Sequence, residues 1–205
     1  MKTIFSILIF IFFLGNLQSG AQGSNSYLLS IQKFHQKLNN DYANPTTSPL
    51  KQEDLASFKN LDIFPIDENF KIIASFEKTP NDPIFEMQTT TERKPPYKRF
   101  GIATFNLNGK IFKLNVYQNQ QLLMDFEYRN YLFLPFTDAT NGYESYKGGR
   151  YIDLEIPTAK SLVIDFNKAY NPYCAYNSKY SCPVVPKENH INIAIKAGVK
   201  AFNKH

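Results

Sequence analysis

Tryptophan is absent, histidine occurs three times and cysteine twice among 205 residues, and each scarcity narrows the chemistry on offer. His35, His190 and His205 sit in no Ser-His-Asp or Cys-His pattern. No Gly-x-Ser-x-Gly elbow, His-Glu-x-x-His helix or phosphate-cradling Gly-rich loop is present, so nucleophilic and metal-dependent hydrolysis lack direct support. Nothing recurs at a fixed period, and no Gly/Ser-rich or charged linker divides the chain, which excludes repeat architectures and tandem domains. Charge of one sign is not bunched either. The 23 basic residues against 18 acidic ones are a mild, scattered excess, without the basic stripe of a nucleic-acid binder.

Long apolar runs are equally scarce. The one sustained stretch, Ile4 to Leu14, is about eleven residues, whereas a bilayer-crossing helix needs roughly twenty. Lys2 precedes it and the small-residue frame Ser19-Gly20-Ala21 follows, so residues 1–21 read as an export signal cleaved after Ala21. No cysteine lies near the cut, and a lipid-modified terminus is not expected. The remaining chain, 22–205, is long enough for one domain with a substantial core and short for two. Export to the periplasm or beyond the cell, with no stable membrane span, follows from this reading.

Aromatic residues, by contrast, are plentiful, with 18 Phe and 13 Tyr. Many fall in alternating runs suited to a pleated, half-buried surface, where they serve a core or, when exposed, a ligand platform. Tyr27, Leu28, Ile31, Phe34, His35 and Leu38 recur at helical spacing, predicting an amphipathic helix over 25–40. Asn44-Pro45 ends it, and Ser48-Pro49 opens a shorter helix reaching about Asn60.

From Phe70 the period becomes two. Strands are predicted over 70–77, 84–90, 97–107, 110–118, 131–136, 150–156, 162–167 and 191–195. Asn108-Gly109 between two of them is the chemistry of a tight hairpin turn. Connections too short for crossover helices make the eight strands mostly antiparallel. The expected fold class is α+β with β dominant, a sandwich or a partly closed barrel with the N-terminal helices packed against it.

Two segments dense in Gly, Pro, Asn and Tyr break the strand pattern. The first runs Leu134-Pro135-Phe136-Thr137-Asp138 through Thr140, Gly142, Glu144 and Tyr146 to Gly148-Gly149-Arg150-Tyr151. The second runs Asp165-Phe166-Asn167-Lys168-Ala169-Tyr170-Asn171-Pro172, then Cys182-Pro183 and Pro186-Lys187-Glu188-Asn189. On these motifs the chain resembles a bacterial and archaeal family known as domain of unknown function 1684, and the likeness spans most of residues 22–205. It implies a shared fold and a shared polar region, and names no substrate. A leader departs from the family's cytosolic members.

Read physically, Arg150 offers a fork for a bidentate carboxylate or phosphate contact, or pairs internally with Glu144 or Asp138. Asp165 and Asn167 share a strand face and, with Tyr170, Asn171 and Asn189, either present donors and acceptors to a polar ligand or cap turns. Cys174 and Cys182, in an exported chain, are expected to form a disulfide. A C-x7-C spacing with only His190 nearby does not make a zinc site, and no metal or cofactor is expected. Two functional readings remain. One is a binding protein for a small polar or sugar-like ligand, its oligomeric state not legible. The other is a hydrolase using Glu144, Asp165 or Glu188 as acid or base, with Arg150 and Asn167 as positioners.

Overall fold

The computed structural model describes residues 17–202, so most of the predicted leader, residues 1–16, lies outside the described residues. Period-two alternation becomes eight strands: β1 (Lys71–Lys78), β2 (Ile84–Glu86), β3 (Pro96–Leu107), β4 (Lys110–Asn119), β5 (Tyr131–Asp138), β6 (Arg150–Glu155), β7 (Ser161–Asp165) and β8 (His190–Ile191). They make one sheet in the order β6-β5-β4-β3-β1-β7, with β2 added to β3 and β8 to β5. Only the β5–β8 pairing is parallel. The sheet curls until β6 and β7, at opposite ends of that order, touch. The result is a half-barrel. The class is α+β and strand-dominant, and of sandwich and barrel the partly closed barrel is the one formed.

The β3–β4 hairpin turns on Asn108 and Gly109, whose φ angles of 53° and 77° are the positive values a two-residue turn requires. The inside of the curl is filled by Phe76, Phe105, Leu114, Val116, Leu132, Leu134, Phe136, Ile152 and Ile164. Each such side chain contributes about 1.5–3 kcal/mol when fully buried. The outer face carries a different set, Met87, Tyr97, Tyr117, Phe133, Tyr151 and Val185. β5 is therefore buried on both sides, and something must cover its outside.

Met87 from the β2–β3 connection and Tyr170 and Val185 from the segment after β7 pack on it, and α1 (Leu17–Ala43) lies beyond, its Tyr42 packed with Leu50, Leu61 and Tyr176. The helix runs past the predicted 25–40 at both ends. Asn44 stops it by taking the Thr46 backbone N–H on its own side-chain oxygen at 3.0 Å. The second helix is much shorter than predicted: α2 spans only Gln52–Leu55. Beyond it the Leu61 N–H donates to the Asn39 side chain at 2.8 Å and Leu61 is buried with Tyr42, Leu50 and Tyr176. Burying Leu61 against α1 wins over continuing the helix to Asn60.

The predicted last strand, 191–195, contracts to His190–Ile191. The following carbonyls of Ile195, Ala197 and Val199 accept instead from the Arg150 guanidinium.

Candidate functional site

Arg150 is fully buried. It donates to Asp138 and to the Ile195 carbonyl, both at 2.8 Å, and to the carbonyls of Ala197 and Val199. Burial pulls its pKa below the ordinary arginine value, against the opposing pull of the Asp138 carboxylate. Of the two partners the sequence allowed, Asp138 is the one met. Glu144 instead pairs with Lys196 at 2.9 Å on a half-exposed surface. The guanidinium is thus spent as an internal clamp, tying β5, β6 and the C-terminal segment together.

The nominated amides are spent in the same way. Asn189 accepts from the Asn115 N–H at 2.9 Å and donates to the carbonyls of Asn115 and Pro135 at 2.8 and 2.7 Å. It splices β4 to β5 where those strands diverge, their register being confined to Tyr117 opposite Phe133. Asn171 donates to the Lys200 carbonyl at 2.8 Å and to the Tyr176 hydroxyl at 3.2 Å.

Asp165 accepts from the Tyr27 hydroxyl at 3.0 and 3.1 Å and from the Asn167 backbone at 3.1 Å. Asn167 Nδ2 donates to the Asp67 carbonyl at 2.8 Å, and its own carbonyl receives His35 Nε2 at 2.7 Å. These two residues dock α1 onto the sheet. Glu188 stands exposed near Tyr117 and Arg99. Asp165 lines one hollow, with Tyr27 and Lys71, and Glu144 another, with Phe64 and Lys196.

What the fold does gather is tyrosine. A cleft of about 480 Å³ lies between the C-terminal half of α1, the outer face of β3, β5 and β6, and residues 170–183. Seven tyrosines line it: Tyr42, Tyr97, Tyr131, Tyr151, Tyr170, Tyr173 and Tyr180. The rings interlock edge to face, with Phe133 and Tyr151 centroids 4.7 Å apart at 76° and Tyr151 and Tyr170 6.0 Å apart at 87°. Aromatic quadrupoles favour that geometry.

Two carboxylates line the cleft, Asp41, which pairs with Lys37 at 2.9 Å, and the exposed Asp153 beside the rings. Asp153 Oδ1 accepts from the hydroxyls of Tyr131 at 2.8 Å and Tyr170 at 2.6 Å. Burial, and then the Asp153 charge, push both tyrosines far above their ordinary value, so both remain neutral O–H donors. Asp153 Oδ2 has no hydrogen-bond partner among the described residues. Asp153 and Tyr131 also line a second hollow of about 450 Å³, which runs under α1 towards Tyr27, Lys71 and Asp165. Asp153 stands where the two meet.

Cys182 closes one wall of the tyrosine cleft. It and Cys174 are thiols here, approaching to 3.2 Å, whereas a disulfide bond measures about 2.05 Å. Among the described residues no group of three or more His, Cys, Asp or Glu side chains is placed to hold a metal. No described helix is long and apolar enough to cross a membrane.

Residues 56–200, which hold the half-barrel, the Arg150 clamp and most of the cleft, match the model of the family described as "Protein of unknown function (DUF1684)". The chain belongs to that family. A similar solved structure is the solution NMR structure of an uncharacterised protein from gene locus rrnAC0354 of Haloarcula marismortui. It is 26% identical, with a TM-score of 0.69, over 90% of this chain and 99% of that one. No curated protein matches.

Of the residues nominated from sequence, Tyr170 alone contacts Asp153. Asp153 itself was missed, because in Tyr151-Ile152-Asp153-Leu154-Glu155 it reads as an ordinary outward polar position of a strand. The available signal was β5: apolar residues at consecutive positions from Leu132 to Leu134 demand a covered outer face, and Asp153 lies on the neighbouring strand.

Proposed function

We propose that this protein binds a small polar, sugar-like ligand in the tyrosine-lined cleft, with Asp153 as its anchor. The observation that carries the proposal is the carboxylate held on Oδ1 by two tyrosine hydroxyls while Oδ2 has no partner among the described residues. A carboxylate fixed in this way accepts from ligand hydroxyls without losing further rotamer freedom, which is the benefit of preorganisation. Tyrosine rings supply a flat apolar surface for the C–H face of a sugar, and their hydroxyls supply polar contacts at its edge. The cleft volume, about 480 Å³, falls within the usual range for small-molecule sites.

The hydrolase alternative has less behind it, since Arg150 is fully buried with both terminal nitrogens bonded inside the fold and Asn167 holds the Asp67 carbonyl. An exported setting, periplasmic or extracellular, belongs to the same proposal. Calorimetric titration and thermal-shift screening of the chain from Gln22, against neutral mono- and disaccharides, polyols, phosphoesters and nucleotides, test it. A sugar at a hundredfold excess over Kd adds about 2.7 kcal/mol of stability. Asp153→Asn weakens that binding by at least about tenfold, as expected for a lost charge-assisted hydrogen bond, in a variant that stays folded because its amide oxygen still accepts from Tyr131 and Tyr170. Absence of any sugar response, or an unaffected Asp153→Asn variant, refutes the proposal.

A further inference from the structure

Cys174 and Cys182 are the only cysteines in the chain, and they are not equivalent. Cys182 is buried, whereas Cys174 is half-exposed. The Cys174 backbone N–H donates to the Cys182 sulfur at 3.1 Å. The Tyr146 hydroxyl, carried by the Gly-rich segment before β6, stands 3.9 Å from the Cys174 sulfur. The Cys182 backbone N–H donates to the Thr90 hydroxyl at 3.1 Å. One accessible sulfur therefore has a second thiol and a tyrosine hydroxyl directed at it, and the second thiol is within one bond-forming displacement. The remaining cleft residues play no part in this arrangement, and it stands or falls separately from ligand binding.

We propose that Cys174 and Cys182 form a reversible thiol–disulfide couple, with Cys174 the attacking thiol and Cys182 the resolving one, acting on low-molecular-weight disulfides. The Cys174 thiolate attacks one sulfur of an external disulfide RSSR. A Cys174–SR bond forms as the RS–SR bond breaks, and RS⁻ leaves and takes a proton from solvent. Cys182 then attacks the Cys174 sulfur, passing its own proton to the second departing RS⁻. The Cys174–Cys182 bond closes, and the protein dithiol has lost two electrons and two protons to yield two RSH. The electrostatics match the assignment. Hydrogen bonding from Cys182, opposed by burial and helped by Tyr146 and Thr90, lowers the Cys174 thiol to about 7, while the same partnership and burial push Cys182 up. Burial and the neighbouring Cys174 push Tyr146 up to about 12, keeping it a donor. A thiol with a pKa near ambient pH is the efficient attacker, because thiolate fraction and nucleophilicity are then balanced.

Oxidised β-mercaptoethanol is the probe, applied to the full-length protein and to Cys174→Ser and Cys182→Ser variants, followed by intact mass and peptide mapping. The wild type is expected to lose two hydrogens and regain them in excess reduced β-mercaptoethanol. Cys182→Ser accumulates a mixed disulfide at residue 174, and Cys174→Ser forms its adduct at least about tenfold more slowly. Should Cys182→Ser fail to fold, the wild type still decides the matter: iodoacetamide modifies Cys174 first, with a rate midpoint near pH 7. Equal trapping at both positions, or no internal disulfide in the oxidised buffer, overturns the couple. So does a disulfide that forms but resists excess monothiol, which would make it a permanent staple.

Discussion

Replacing Arg150 by Met keeps most of the side-chain volume and removes the charge, leaving the buried Asp138 carboxylate without its counter-ion. Asp138 keeps donors from the Thr140 N–H and hydroxyl and from the Ile195 N–H, so its charge is only partly met. Two carbonyls, those of Ile195 and Ala197, lose their close donor as well. Breaking a buried pair from one side costs about 3–5 kcal/mol. In a chain of this size that lowers Tm by roughly 6–20 °C, at about 2–4 °C per kcal/mol. The pair energy separates from the clamp energy in a double-mutant cycle. Arg150→Met with Asp138→Leu removes both charges, and the combined loss should fall short of the sum of the single losses by about 1–3 kcal/mol. Urea unfolding at constant m-value is the assay. An Arg150→Met loss below about 1 kcal/mol, or strict additivity in the cycle, would refute the view of this residue as an internal clamp.

Three further outcomes are expected. Gly149 has a φ of 91°, and an added Cβ would stand 2.6 Å from both the Phe136 carbonyl oxygen and Val185 Cγ2. Gly149→Ala should therefore cost upwards of about 2 kcal/mol in urea unfolding, from strain and clash together. Tyr131, Tyr151, Tyr170 and Tyr176 are raised above the ordinary tyrosine value of 10.0, chiefly by burial. Being raised in the folded state, they leave stability intact below pH 10 and erode it as pH climbs beyond, by up to about 1.4 kcal/mol per pH unit for each. Urea midpoints across that range and phenolate absorbance check this, and free titration of every tyrosine near pH 10 in the folded state would contradict it. Export should leave a chain beginning at Gln22, which intact mass of the protein recovered from the periplasm or medium reads directly, and retention of residues 1–21 would count against cleavage.

The strands were legible because a half-buried sheet writes its period into consecutive residues, and Asn108-Gly109 marks its turn by chemistry only a few residues can supply. α2 and β8 were less so. What shortens them is distant in sequence: the Asn39 side chain for the first and the Arg150 guanidinium for the second. The amides are ambiguous for a related reason. Asn167 and Asn189 carry the donors and acceptors a ligand would want, and those same groups satisfy stranded backbone just as well. Local pattern does not say which. The tyrosine cleft draws its rings from five separated stretches of chain, so no short motif announces it, whereas the two cysteines, eight positions apart, were visible as a pair from the start.

The Arg150 clamp has a bearing on how the chain is made. Its charge partner, Asp138, leaves the ribosome earlier, but the Ile195 carbonyl follows Arg150 by 45 residues. Throughout that interval a nascent half-barrel holds a guanidinium whose remaining acceptors have not been synthesised. Burying it then is unfavourable, since a charge taken out of water without its full set of partners costs several kcal/mol. Closure around the arginine is therefore expected only once residues 195–199 have emerged, and a chain truncated before residue 195 should be cut faster by added protease than the full-length chain.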